Sequence, residues 1–188
     1  MIPRDRYADR IALLLQERPV VALLGPRQCG KTTMARFIQR NSSGSAFFDL
    51  ESPTGRSRLE NPMLALDGLE GLVVIDEIQR LPEMFEVLRV LADRPDRRCT
   101  FLVLGSASPG LVRGASETLA GRVGFVDLSG FDLGEVGEAS VLDLWNRGGF
   151  PRSFLAASDS ASKRWRDDFI RTFLERDIPQ LGITIPSE

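Results

Sequence analysis

From Gly25 to Thr33 the chain reads GPRQCGKTT, with two glycines, a proline and, at Lys31, one of only two lysines among 24 basic residues. Glycines at this spacing let successive main-chain N–H groups turn toward one point and approach an anion closely. A helix opening at Lys31 would add the positive end of its dipole, about half a charge. A compact ammonium binds phosphate as a point charge, and the Thr32 hydroxyl is of the kind that enters a magnesium shell. The candidate phosphate contacts are therefore Gly25, Pro26, Arg27, Gln28, Cys29, Gly30, Lys31, Thr32 and Thr33. A second stretch, GLVVIDEIQRLP from Gly71 to Pro82, runs an apolar segment into adjacent acids, Asp76 and Glu77. Two carboxylates there can divide the work: Asp76 in the metal shell, Glu77 as the base that polarises a water. Acids also end strands for purely local reasons, and taken alone the pair fits that reading too. The chain has no histidine. That removes Ser/His/Asp and Cys/His triads and HExxH zinc sites together, and leaves chemistry to carboxylates, hydroxyls, Arg and Lys.

The first stretch satisfies G-x-x-x-x-G-K-[ST], the Walker A pattern, and the second is of Walker B type. A third candidate is TFLVLGSAS, from Thr100 to Ser108. Ser106 there has two readings, a sensor that contacts a γ-phosphate or orients water, or, with Ser108, a cap for the helix that Pro109 opens. Cys29 likewise has two: a thiol whose pKa is lowered at a helix start, or a residue that fills space.

Bringing these groups together requires strands whose C-terminal ends share one edge. Five apolar runs serve: Val20 to Leu24, Ala46 to Leu50, Leu72 to Asp76, Thr100 to Gly105 and Gly124 to Leu128. Runs without polar alternation suit strands covered on both faces. Helical patterns lie between them, at Lys31 to Gln39, Pro62 to Leu69, Pro82 to Ala92 and Pro109 to Leu119, after a leading helix at Tyr7 to Gln16. Prolines 62, 82 and 109 stand where a first-turn proline belongs. Strands alternating with helices predict an α/β fold with a mostly parallel sheet. Past Gly130 the strand signal stops, and Val141 to Trp145 and Ser160 to Leu181 read as helical, so residues 1–130 form one domain and 131–188 another. The last helix carries Trp165, Phe169, Ile170, Phe173 and Leu174 as an apolar stripe.

At 188 residues and 43% hydrophobic, the chain can bury one real core. A net charge of -2 gives no global field for nucleic acid, and the short run Arg94, Arg97 and Arg98 reads as a solvated loop. No stretch reaches the length of a membrane span, and the N-terminal apolar run breaks too early for a signal peptide. The expected location is the cytoplasm, with no membrane partner. Cys29 and Cys99 cannot staple a secreted scaffold and read as free thiols.

In this order the segments GPRQCGKTT, VVIDEIQRLP, LGSAS, ETLAGRV, GGFPRSF and FLERDIP resemble those of bacterial and archaeal AAA-plus ATPases whose second half is an uncharacterised domain. The resemblance implies a P-loop NTPase sheet in the order 5-1-4-3-2, followed by a small helical lid. It implies ATP and Mg2+ as cofactors and hydrolysis to ADP and phosphate, with a homo-oligomer and an unknown protein as partners. It places an arginine finger at Arg122, which would reach a neighbouring copy, although an arginine at a helix C-terminus also suits the macrodipole. It makes Gly149 and Pro151 a lid segment over the adenine, or else a plain loop between helices. Arg171 and Arg176 are further lid candidates, read first as a solvated face. Related chains run to about twice this length, so the half absent here would carry the partner or effector. A conformational switch with negligible hydrolysis is the rival reading. A small-molecule kinase is disfavoured by the Asp76–Glu77 pair and the Ser106 strand end.

Overall fold

Five runs of apolar residues form five parallel strands because each must be covered on both faces. The computed structural model describes residues 2–178. A leading helix, α1 (Asp5–Glu17), is followed by β1 (Val20–Leu24), α2 (Lys31–Arg40), β2 (Ser45–Asp49), α3 (Pro53–Arg58), α4 (Pro62–Leu66), β3 (Gly71–Asp76), α5 (Met84–Ala92), β4 (Cys99–Gly105), α6 (Pro109–Thr118) and β5 (Val123–Asp127). The sheet order is β2-β3-β4-β1-β5, every neighbouring pair parallel. Read from the other edge this is 5-1-4-3-2, as the resemblance implied.

Burial follows position in the sheet. All of β1 is buried, β3 and β4 nearly so, while the edge strands β2 and β5 are half-exposed. One core cluster joins Val20, Ala22 and Leu24 of β1 to Val73 and Ile75 of β3, Phe101 and Val103 of β4, and Leu88 and Leu91 of α5. On α2 the buried Met34, Ala35 and Ile38 lie on one face, the spacing a 3.6-residue helix requires.

The chain divides into two compact units, Pro3–Leu128 and the residues from Ser129 onward. The second is helical: α7 (Leu133–Val136), α8 (Val141–Arg147), α9 (Pro151–Phe154) and α10 (Asp159–Thr172), which runs on as a π-helical turn over Phe173–Asp177. Asp132 and Glu135 cap α7 reciprocally. A buried hydroxyl pair, Ser153 and Ser162 at 2.8 Å, is bonded by Arg166 and by the Arg147 carbonyl. The predicted stripe on α10 packs in part: Phe150 lies 4.8 Å from Phe169 between ring centres, and Phe169 stacks on Trp165. Ile170 and Leu174 of the same stripe are exposed.

Several expectations need correction. Helix α3 lies in a stretch to which the sequence pattern assigned no element, and α4 stops at Leu66 rather than Leu69 because Asp67 turns to extended backbone. Pro82 lies in the turn before α5, which begins at Met84. The predicted helix over Ser160 to Leu181 is described only as far as Ile178, and its last three residues lie outside the described residues.

Candidate functional site

Parallel strands bring their C-terminal ends to one edge, and Gly25 follows β1, Glu77 follows β3 and Ser106 follows β4 there. The loop from Gly25 to Gly30 then joins β1 to α2. Gly25 must be glycine because a Cβ would fall 2.1 Å from the Leu128 carbonyl oxygen. Gly30 has φ of 104° and Gln28 has φ of 63°, so the loop coils tightly before the helix begins. The Met34 N–H donates to the Gly30 carbonyl at 2.9 Å. The N–H groups of Lys31, Thr32 and Thr33 precede that first helical bond and are free of the helix ladder, facing along its axis. Such a helix start receives anions.

Lys31 is buried, 6% exposed, and its ammonium donates to the carbonyls of Gly25 at 2.9 Å and Pro26 at 3.0 Å. A buried ammonium needs such acceptors, and these two hold it over the loop. The Thr32 hydroxyl donates to Asp76 Oδ2 at 2.7 Å, across 44 residues of chain. The Glu77 N–H donates to the other Asp76 oxygen at 3.0 Å. Burial pushes the Asp76 carboxyl above its ordinary range, with the nearby Glu77 and Asp49 charges adding to the effect and the Thr32 bond opposing it. Two hard oxygen donors, one on a carboxylate that burial makes short of positive charge, fit Mg2+, which takes few protein ligands and completes its shell with phosphate and water. Among the described residues no three acidic, Cys or His side chains gather as a self-sufficient metal cage.

Glu77 has φ of 58°, in the left-handed region, so the chain swings off the strand line immediately after Asp76. That turn sets the two carboxylates on different courses. Glu77 accepts a hydrogen bond from the Gln79 side-chain amide, a contact the sequence did not announce.

Other expected site residues stand apart. Ser106 is half-buried directly after β4, while Ser108 occupies the start of α6 without a side-chain capping bond. Cys29 is fully buried, and burial raises its thiol pKa more than Lys31 and Arg4 lower it. The lowered thiol pKa considered from sequence is thus overturned, and Cys29 fills space behind Gly25. Arg122 sits between α6 and β5, where its guanidinium grips Asp93 through Nε at 2.5 Å and Nη2 at 2.8 Å and holds that carboxyl below its ordinary range. Gly149 belongs to the second unit. A Cβ there would lie 2.3 Å from the Phe131 carbonyl oxygen, and the Gly149 carbonyl accepts from the Phe131 N–H, so close backbone packing explains the glycine. Pro151 opens α9 as a first-turn proline. Arg171 pairs with Glu175 on an exposed face, and the Arg176 side chain lies outside the description.

A parallel sheet of this order, with a glycine-rich loop between β1 and α2, defines a P-loop NTPase, a class built to bind nucleotides. The chain belongs to the AAA family: a family model described as "AAA domain" matches residues 17–137, and one described as a domain of unknown function matches residues 138–188. It is 53% identical over 187 residues to uncharacterized proteins of Mycobacterium tuberculosis and Mycobacterium bovis, covering 100% of this chain and 42% of each relative. The chain therefore spans less than half the length of the curated relatives it matches. Among solved structures, the Walker-type ATPase of Pyrococcus abyssi superposes with a TM-score of 0.66 over 97% of this chain and 76% of its own, at 14% identity. That likeness is one of fold. No helix of the described residues is long and apolar enough to cross a membrane.

Proposed function

We propose that the chain is a magnesium-dependent ATPase of the AAA family. The observation that carries this reading is the Thr32–Asp76 contact, which joins the end of β3 to the start of α2 beside Lys31 and Glu77. Main-chain N–H groups of the 25–33 loop bind the β- and γ-phosphates, and the Lys31 ammonium exchanges the Gly25 and Pro26 carbonyls for phosphate oxygens. Thr32 and Asp76 would hold Mg2+, which when bound neutralises charge on the phosphates. Glu77 accepts a proton from the attacking water, and Ser106, at the same sheet edge, touches the γ-phosphate. The second unit corresponds to the helical lid that the resemblance implies, with Gly149 and Pro151 as its candidate adenine contacts. Arg122 completes the site of a neighbouring copy, and the protein works in the cytoplasm.

Glu77→Gln keeps the shape of the side chain and removes the base. Steady-state phosphate release is expected to fall at least tenfold, and by up to the roughly 10²–10⁴ that a positioned base contributes, with ATP affinity unchanged. Parental release by this variant would remove Glu77 from the reaction. A parent chain that keeps bound ATP intact for hours in a single-turnover assay would make nucleotide occupancy a switch instead.

A further inference from the structure

One buried polar atom is left over by this reading. The side-chain carbonyl oxygen of Gln79 is buried and has no hydrogen-bond partner among the described residues. It lies beside the last residue of β4, where a Cβ added to Gly105 would come 3.0 Å from it. The other end of the same amide donates to the Glu77 carboxylate. The orientation is forced, because an ionised carboxylate only accepts and the amide nitrogen is the only donor Gln79 has. A side-chain amide has a donor end and an acceptor end. Gln79 uses the one that faces Glu77.

The surroundings make this a restraint. Glu77 is half-exposed and leaves β3 with a positive φ, so its backbone aims the side chain but does not fix the far end. Ile78, between the two, is fully buried and anchors the turn in the core. Gln79 thus follows a residue anchored in the core, with its oxygen beside β4 and its nitrogen on the carboxylate.

We propose that Gln79 is the positioning residue for Glu77, holding one carboxylate oxygen so that the other faces the water to be deprotonated. The proposal rests on the reading of Glu77 as the base. In this role Gln79 acts only through the carboxylate it holds.

The test compares the full chain with Gln79→Leu, Gln79→Glu, Glu77→Gln and Glu77→Gln/Gln79→Leu, measuring single-turnover hydrolysis of ATP with Mg2+, ATP affinity and thermal midpoint. Gln79→Leu removes the donor and spares the bulk; hydrolysis is expected to fall roughly tenfold, part of what a positioned base supplies, while ATP affinity stays within about twofold. Gln79→Glu sets carboxylate against carboxylate and is expected to lose at least as much, which keeps the test open should the leucine variant fail to fold. In the Glu77→Gln background the second substitution is expected to change nothing, because there is no base left to position. Parental hydrolysis by both Gln79 variants alongside a slow Glu77→Gln would overturn the proposal and leave the function standing. An equal further loss in the double variant, or a loss of ATP affinity with the rate intact, would also overturn it, by making Gln79 structural. Parental hydrolysis by Glu77→Gln would remove the function and this role together.

Discussion

Asp76 concentrates the electrostatic cost of the site. Its carboxyl is 4% exposed, and burial is the first cause of its raised pKa, ahead of the neighbouring acids. A group whose folded pKa lies above its unfolded value contributes stability below the ordinary carboxylate range, and that stability is lost as pH rises through the folded value. Above the folded value the ligand-free chain therefore carries an unfavourable buried charge. Asp76→Asn removes it and can keep both contacts, accepting from the Glu77 N–H and donating to Thr32. In thermal melts without nucleotide or Mg2+, the variant is expected to melt above the parent at about pH 8, the gap closing toward about pH 4. A gap independent of pH would assign the difference to packing. Lys31, Thr32 and Asp76 were legible in the sequence because phosphate and metal chemistry fixes their types and spacing. Gln79 was not. Its part is a contact between side chains two residues apart in a turn, and neither periodicity nor spacing marks it. Of the two readings of Cys29 the space-filling one holds, because a helix start lowers a thiol pKa only where water still reaches it, and here burial wins.

The sheet was readable because both its faces are covered, which makes every inner strand an unbroken apolar run. Leu102 of β4, fully buried and on a strand paired with both β1 and β3, represents that condition. Leu102→Ala is expected to cost about 2–5 kcal/mol in urea unfolding, as a central residue whose surroundings cannot collapse into the void. Leu64→Ala on α4, at a side chain 73% exposed, should change stability by less than about 0.5 kcal/mol. Similar losses for both would mean that the sheet is not where the fold is held. The short helices were the unreadable part. Helix α3 spans six residues and α7 and α9 four each, too few for a 3.6-residue period to repeat. They are made by capping and by tertiary packing, as at Gly149, where a backbone approach that no local pattern encodes demands the glycine.

Arg122 poses a question that a single chain cannot answer. It precedes β5 while the phosphate loop follows β1, and these strands run parallel in register from Val20 opposite Val123 to Leu24 opposite Asp127. A strand of this length spans about 16 Å, so Arg122 stands at the far edge of the sheet from its own loop. Its bidentate grip on Asp93 is solvent-exposed and therefore weak, open to exchange for a phosphate. In the proposed finger role, an arginine so placed would serve a nucleotide held by another copy, through a head-to-tail interface. Arg122→Ala and Lys31→Ala are each expected to be inactive alone, the first lacking the donated guanidinium and the second the phosphate grip. Mixed in equal amounts they should recover about one quarter of parental hydrolysis, since a productive site needs an intact loop facing an intact arginine and random assembly of a head-to-tail contact supplies that pairing about one time in four. Hydrolysis per chain by the parent should likewise rise with protein concentration. If Arg122→Ala alone turns over at the parental rate and the mixture merely averages the two variants, Arg122 is a surface partner for Asp93 and nothing more, and the site is complete within one chain.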